Sequence, residues 1–184
     1  DLEDLIFLLD RDPAAYSVVA ERVVAAGLDP MGSGGPTWGW YVDGELRCAV
    51  FVGPNVLLVE TSPAARSAFG SRLSRMGRRS SAIVGYREEV VDLWNHLVAD
   101  WGPCRELRDD QPLMVCAQDP AVESLAGVRR LNLSDLDAFL PAAIDMFTEE
   151  VGLSPVAGGR GPGYRARVAN SIRRGRVYGR IDDG

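Results

Sequence analysis

Lysine is absent from the 184 residues, so all 20 basic side chains are arginine, which reads as GC-rich codon usage rather than as chemistry. Histidine occurs once, at His96, and a single histidine without a partner in the sequence argues poorly for acid–base catalysis. Cysteine is scarce as well. Cys48, Cys104 and Cys116 include no close pair, which excludes a disulfide framework and a zinc-ligand spacing and suggests buried structural thiols. No apolar run approaches the roughly 18 residues of a membrane span, and Asp1-Leu-Glu-Asp lacks the basic-then-apolar order of a signal peptide. The default expectation is a cytoplasmic protein with no membrane anchor.

What is present organises around Thr37 to Val52, two β-rich runs flanking Asp43-Gly44, a dipeptide that favours the two-residue turn of a β-hairpin. Before it, Leu2, Leu5, Ile6, Leu8 and Leu9 cluster at helical spacing. Asp12-Pro13 reads as a cap opening a second helix that runs through Tyr16, Val19, Ala20, Val23 and Val24 to Gly27. Residues 31–36 read as a loop. After the hairpin come a strand from Asn55 to Glu60 and a helix capped by Ser62-Pro63 that ends near Gly77. A short buried strand follows from Ser80 to Gly85. Next is an amphipathic helix from about Glu88 to Trp101 with Val91, Trp94, Leu97 and Val98 inward. Arg105 to Arg108 and Leu113 to Ala117 are expected to close the unit as paired strands. This order predicts a mixed α/β sheet covered by helices.

Residues 118–127 are polar and small enough for a linker between a domain at 1–117 and a second unit at 128–184. The second unit is expected to open with a strand from Val128 to Leu131 and a capping box at Ser134-Asp-Leu-Asp137. Its first helix should bury Leu136, Phe139, Leu140, Ala143, Phe147 and Val151 and bend at Pro141. A glycine-rich loop from Val156 to Gly163, a helix from Tyr164 to Arg174 and a strand running into Asp183-Gly184 complete it. Leu2-Glu-Asp-Leu5 and Leu133-Ser-Asp-Leu136, Gly27-Leu-Asp-Pro30 and Gly152-Leu-Ser-Pro155, and the two Asp-Gly pairs recur in the same order, as a duplicated domain would leave them. On that reading the chain holds one full domain and the N-terminal half of a related one, and the bare last strand invites a second copy to cover residues 128–184. Seven arginines and no acid lie between Val151 and Ile181, a patch suited to phosphates, to an acidic neighbour or simply to solvent.

Leu9-Asp-Arg-Asp-Pro13, Ala26-Gly-Leu-Asp-Pro30, Gln111-Pro-Leu-Met114 and Met146-Phe-Thr-Glu-Glu-Val-Gly152, with the element order above, resemble the GNAT superfamily of acyl-CoA N-acyltransferases. More narrowly, they resemble an actinobacterial two-domain family in which a GNAT-like domain of unknown function precedes the acetyltransferase domain. The resemblance implies transfer of acetyl from acetyl-CoA to an amine, a small molecule or a protein; separately, no residue pattern indicates a nucleic-acid groove, and no nucleic-acid partner is expected. It also implies a pyrophosphate loop, Gln/Arg-x-x-Gly-x-Gly/Ala, after the fourth strand. The first domain departs from it, since Thr61-Ser-Pro-Ala-Ala-Arg66 has no glycine and Pro63 removes a donor. The second domain's loop is expected beyond Gly184, so the chain by itself is expected to be inactive and to bind no cofactor. Gly158-Gly-Arg-Gly-Pro-Gly-Tyr-Arg165 fails the loop spacing, because Arg165 stands where Gly or Ala is needed.

The resemblance places Glu149, Glu150 and the loop at 156–163 beside the acceptor amine, where a carboxylate would attract or deprotonate an ammonium. Surface acids in a last helical turn are the plainer alternative. Glu60 and Tyr86, at expected strand ends, are formal base and acid candidates of the first domain, whereas Trp38, Trp40 and Tyr41 read as sheet packing. No metal site is expected. An alternative class is a non-catalytic GNAT-like module that binds a ligand or a protein and regulates an attached enzyme.

Overall fold

A computed structural model describes residues 1–108 and 110–181, and these fall into two compact units that divide between Ala117 and Gln118. In the first unit α1 spans Leu2–Leu9, held at its start by a capping box between Asp1 and Asp4. It buries Leu5, Leu8 and Leu9, while Leu2 and Ile6 stay more than a third exposed. The second helix begins later than its cap suggests. Asp12 accepts the N–H groups of Ala15, on its carboxylate, and of Tyr16, on its carbonyl, but this makes one open turn, and regular α2 runs Ser17–Ala26. Residues 31–36 are not all loop: Pro30 fixes the first turn of a short α3, Pro30–Ser33, whose N–H groups at Met31 and Gly32 are taken by Asp29.

Strands β1, Thr37–Val42, and β2, Glu45–Val52, form the expected antiparallel hairpin. Asp43 (φ 52°) and Gly44 (φ 83°) both lie in the left-handed region that the two-residue turn requires. β3, Asn55–Val59, pairs antiparallel with β2, and β4, Ala82–Val84, pairs parallel with β3, giving the order β1-β2-β3-β4. The parallel step needs a crossover, supplied by α4, Pro63–Met76, which Ser62 caps through the Ala65 N–H. α5, Arg87–Trp101, follows β4. The fold is a mixed α/β sheet with helices on both faces.

β2 and β3 are apolar at consecutive positions because both their faces are covered. Val50, Val52, Val56 and Leu58 meet Phe69, Leu73, Leu93 and Leu97 of α4 and α5, while Ala49, Phe51, Leu57 and Val59 meet the inner faces of α1 and α2. Several expectations are corrected by this packing. α5 turns Leu97 and Trp94 inward as expected, together with Leu93 and Trp101, but leaves Val98 40% exposed at the edge of that stripe. β4 is an edge strand with Ala82 and Val84 exposed, not a buried one. Residues 105–108 and 113–117 form no ladder among the described residues; Leu113, Met114 and Val115 are exposed, since neither run has a core face to lie on. Of the three thiols only Cys48 is buried. Trp38 is buried and Trp40 half-buried, packing on Phe69, whereas Tyr41 is half exposed.

In the second unit β5, Arg129–Arg130, pairs antiparallel with β6, Tyr178–Gly179, and β5 is shorter than the strand expected at 128–131. The capping box joins Asn132 to Asp135 rather than Ser134 to Asp137, because a 3-10 turn at Leu133–Asp135 precedes α6, Leu136–Val151. Pro141 lies inside α6. α7, Gly161–Arg173, starts three residues before the expected Tyr164, and Ala157–Gly159 forms a 3-10 turn within the glycine-rich stretch. Leu136, Ala143, Val168, Ala169 and Ile172 make the core, with Tyr164 donating from its hydroxyl to the Ala143 carbonyl at 2.8 Å. Val151, expected inside, is 42% exposed at the helix end. The expected turn at Asp183-Gly184 lies outside the described residues.

Candidate functional site

The parallel pair of β3 and β4 is short. Asn55, Val56 and Leu57 face Ala82, Ile83 and Val84, and beyond Leu57 and Val84 the pairing stops. β3 continues to Glu60, whose φ of 49° turns the chain sharply toward α4, a conformation a non-glycine residue holds only where its surroundings impose it. β4 continues through Gly85, where a Cβ would stand 3.1 Å from that of Leu58, to Tyr86 at the start of α5. Glu60 and Tyr86 therefore leave the same end of the parallel pair, as the sequence suggests.

A polar cluster gathers there. The Tyr86 hydroxyl donates to the Asp12 carboxylate, and Arg11 Nη1 donates to Glu60 Oε2 at 2.6 Å. Arg66, 8% exposed, donates from Nε to Asp92 Oδ2 at 2.5 Å and from Nη1 to the Thr61 carbonyl. Glu89, in the first turn of α5, has its Oε2 buried without a hydrogen-bond partner. Burial raises the Glu89 carboxyl above its ordinary value against the opposing Thr61 hydroxyl and Arg66 charge. Tyr16 is pushed up to about 12, chiefly by burial; a hydrogen bond with the Glu60 backbone opposes the rise, and the Glu60 and Glu89 charges add to it. The Tyr86 hydrogen bond lowers Asp12, and the Ala15 N–H lowers it further; the same bond raises Tyr86. Burial also raises the Cys48 thiol, so it rests as a thiol beside this cluster.

Chemically, the end of the sheet offers a neutral phenol at Tyr86 and a carboxylate at Glu60 as donor and acceptor, both already engaged by Asp12 and Arg11. The start of α4 beside them is occupied by its own chain. The Ala65 N–H goes to Ser62 Oγ, the Arg66 N–H to the Ser62 carbonyl, and Pro63 has no N–H to give. Asp12, Tyr16, Arg66, Glu89 and Asp92 were not marked as site residues by the sequence, which offered Asp12 only as a helix cap and Tyr16 only as packing. Tyr16 has the spacing of an apolar helix position, and nothing local links residue 12 to residue 86.

Glu149 and Glu150 lie in the second unit, exposed in the last turn of α6 before Gly152 (φ 73°), and neither side chain is hydrogen-bonded or ion-paired among the described residues. Gly158 (φ 65°) and Gly159 (φ 79°) give the following loop its turn, and the Arg160 guanidinium donates back to the Ala157 carbonyl. His96 is exposed on α5. Among the described residues no group of three His, Cys, Asp or Glu side chains is placed to hold a metal ion, and no helix is long and apolar enough to cross a membrane.

Comparison with known families matches residues 35–139 to a domain of unknown function, DUF4081. The match begins just before β1, spans the sheet, α4 and α5, and reaches into α6. No curated protein and no solved structure matches the chain.

Proposed function

We propose that this chain, which belongs to the DUF4081 family, is part of a GNAT-type N-acetyltransferase. The observation that carries the reading is the β3–β4 pair: a parallel step after an antiparallel β1-β2-β3 run, joined through α4, that stops after three paired residues with Glu60 and Tyr86 at its opening. The GNAT resemblance implies this arrangement. Acetyl transfer is assigned to the second unit, with Glu149 and Glu150 and the loop at 156–163 facing the acceptor. There an uncharged amine attacks the thioester carbonyl of acetyl-CoA, a C–N bond forms, the C–S bond breaks, the amine proton passes to a carboxylate or water and the thiolate leaves. The protein works in the cytoplasm, and residues 128–184 meet a second copy.

The first unit takes the other role, a GNAT-like module that binds a ligand or protein without holding acetyl-CoA. The occupied start of α4 favours this: Arg66 and Ser62 fill the place where successive free N–H groups would grip a pyrophosphate.

Intact mass and acetyl-CoA titration of the natural protein, alongside residues 1–184 alone, test the division of labour. The expected result is a longer natural chain that binds acetyl-CoA and releases CoA thiol with an amine, while residues 1–184 do not bind. If the natural chain ends at Gly184, or a longer one does not bind acetyl-CoA, the transferase reading falls and the module reading stands alone.

A further inference from the structure

The two units open alike. In the first, the Asp1 nitrogen donates to Asp4 Oδ2 at 2.8 Å and the Asp4 N–H to Asp1 Oδ1 at 3.0 Å. In the second, Asn132 and Asp135 make the same reciprocal cap, with the Asn132 N–H on Asp135 Oδ2 at 2.9 Å. Leu5 and Leu136, each next after its cap, are both buried. Asp1 thus corresponds to Asn132, in line with the repeat of Leu2-Glu-Asp-Leu5 at Leu133-Ser-Asp-Leu136. Counted back from the two Asp-Gly pairs of the sequence, Thr37, Trp38 and Gly39 correspond to Val177, Tyr178 and Gly179.

The units differ at one edge. In the second, the residues just before the cap cover β6: Arg129 stands opposite Gly179, Arg130 opposite Tyr178, and the Leu131 N–H donates to the Val177 carbonyl at 2.9 Å. In the first, β1 is the outermost strand of its sheet. The Val52 N–H donates to the Pro36 carbonyl at 2.8 Å. Antiparallel alternation then turns the backbone groups of Trp38 toward β2 and those of Thr37 and Gly39 toward the open edge, the counterparts of the groups that β5 engages. Thr37–Val42 holds no charge and no proline, the usual guards of a bare edge. The start of α1 lies beside it, since the Asp1 nitrogen donates to the Tyr41 hydroxyl at 3.3 Å and the Tyr41 ring lies against Gly39.

We propose that the segment directly before Asp1 in the natural chain forms a strand antiparallel to β1 and closes this edge. Its last residue donates its N–H to the Thr37 carbonyl, and the residue before that stands opposite Trp38. The inference uses only the backbones of the two units and is independent of the acetyltransferase reading.

The test is N-terminal sequencing of the natural protein, followed by NMR of that protein and of residues 1–184. A contact between the Hα of Trp38 and the Hα of the second residue before Asp1 is expected, because such non-hydrogen-bonded antiparallel partners have Cα atoms about 4.5 Å apart. The Thr37 and Gly39 amides are expected to exchange with solvent at least about tenfold more slowly in the natural protein than in residues 1–184, the scale of one hydrogen bond. A natural chain that starts at Asp1, a missing Hα contact, or equal exchange in the two proteins overturns the proposal. So does protection in residues 1–184 that grows with concentration, which would give the edge to a second copy. The Hα contact is read in the natural protein alone, so it decides the matter even if residues 1–184 fail to fold.

Discussion

Arg66 in the first turn of α4 and Asp92 on α5 are joined Nε to Oδ2 at 2.5 Å, and the same guanidinium closes over the Thr61 carbonyl at the exit of β3. One side chain therefore ties together the crossover helix, the next helix and the end of a strand. The Arg66 side chain is 10% exposed and that of Asp92 40%, so water screens one partner and the pair falls short of a fully buried bridge. Arg66→Met, which keeps the apolar stem, is expected to cost about 1–3 kcal/mol by leaving the Thr61 carbonyl and Asp92 unanswered. Urea unfolding of the two proteins measures it; an unchanged midpoint contradicts the assignment.

Glu89 sits in the same cluster with a raised carboxyl pKa. The folded state then holds the proton more tightly than the unfolded chain does. Its stabilising contribution is complete below the ordinary value, about pH 4, and is lost as the pH rises through the folded value. Glu89→Gln, which cannot ionise, should therefore gain stability relative to the parent between about pH 4 and pH 7. Urea midpoints at both ends of that range give the answer, and a difference that stays constant rules the burial effect out.

Gly70 lets α4 and α5 approach. A Cβ there would stand 2.7 Å from the Cβ of His96, an atom with no freedom to swing away. Gly70→Ala gains up to about 1 kcal/mol of helix propensity and loses about 1–3 kcal/mol to overpacking, so a net loss is expected. Because the collision is with Cβ, adding His96→Ala should not restore the melting temperature. Recovery in the double variant would place the contact further out on the imidazole.

In the second unit Arg129 grips Asp135 with two hydrogen bonds of 2.7 and 2.8 Å, and the Asn132 N–H adds a third at 2.9 Å. Arg129 chiefly lowers the Asp135 carboxyl from 3.8 to about 2. A lowered pKa stabilises the fold above the ordinary carboxylate value, and that contribution disappears as the pH falls through about 2. Arg129→Gln should move the carboxyl titration of Asp135, followed by NMR, back toward its ordinary value. An unmoved titration would assign the shift to the cap alone.

The Asp43-Gly44 hairpin, the Ser62-Pro63 start of α4 and the apolar stripes of α1 and α2, apart from the exposed Leu2, Ile6 and Val24, were legible in the sequence, because each depends on neighbours within a few residues. A positive φ, a cap or a helical period is a local property, so the chain carries it wherever the segment lies. The strand ends at Glu60 and Tyr86 were legible for the same reason. Other features depended on contacts across the fold. Tyr86 meets Asp12 across 74 residues, Arg66 meets Asp92 across 26, and Trp101 comes to line a groove with the β2–β3 turn. The exposure of residues 105–108 and 110–117 and of Val98 on α5 likewise follows from which surfaces the sheet offers. The sequence by itself determined the hairpin turn, the α4 cap and the order of most helices and strands, though not the short α3 or the fate of the two runs expected to close the first unit. Only the tertiary structure decided which polar groups are buried, which are paired and which donors are left over, because burial and pairing are properties of distant segments brought together, and no local pattern encodes them.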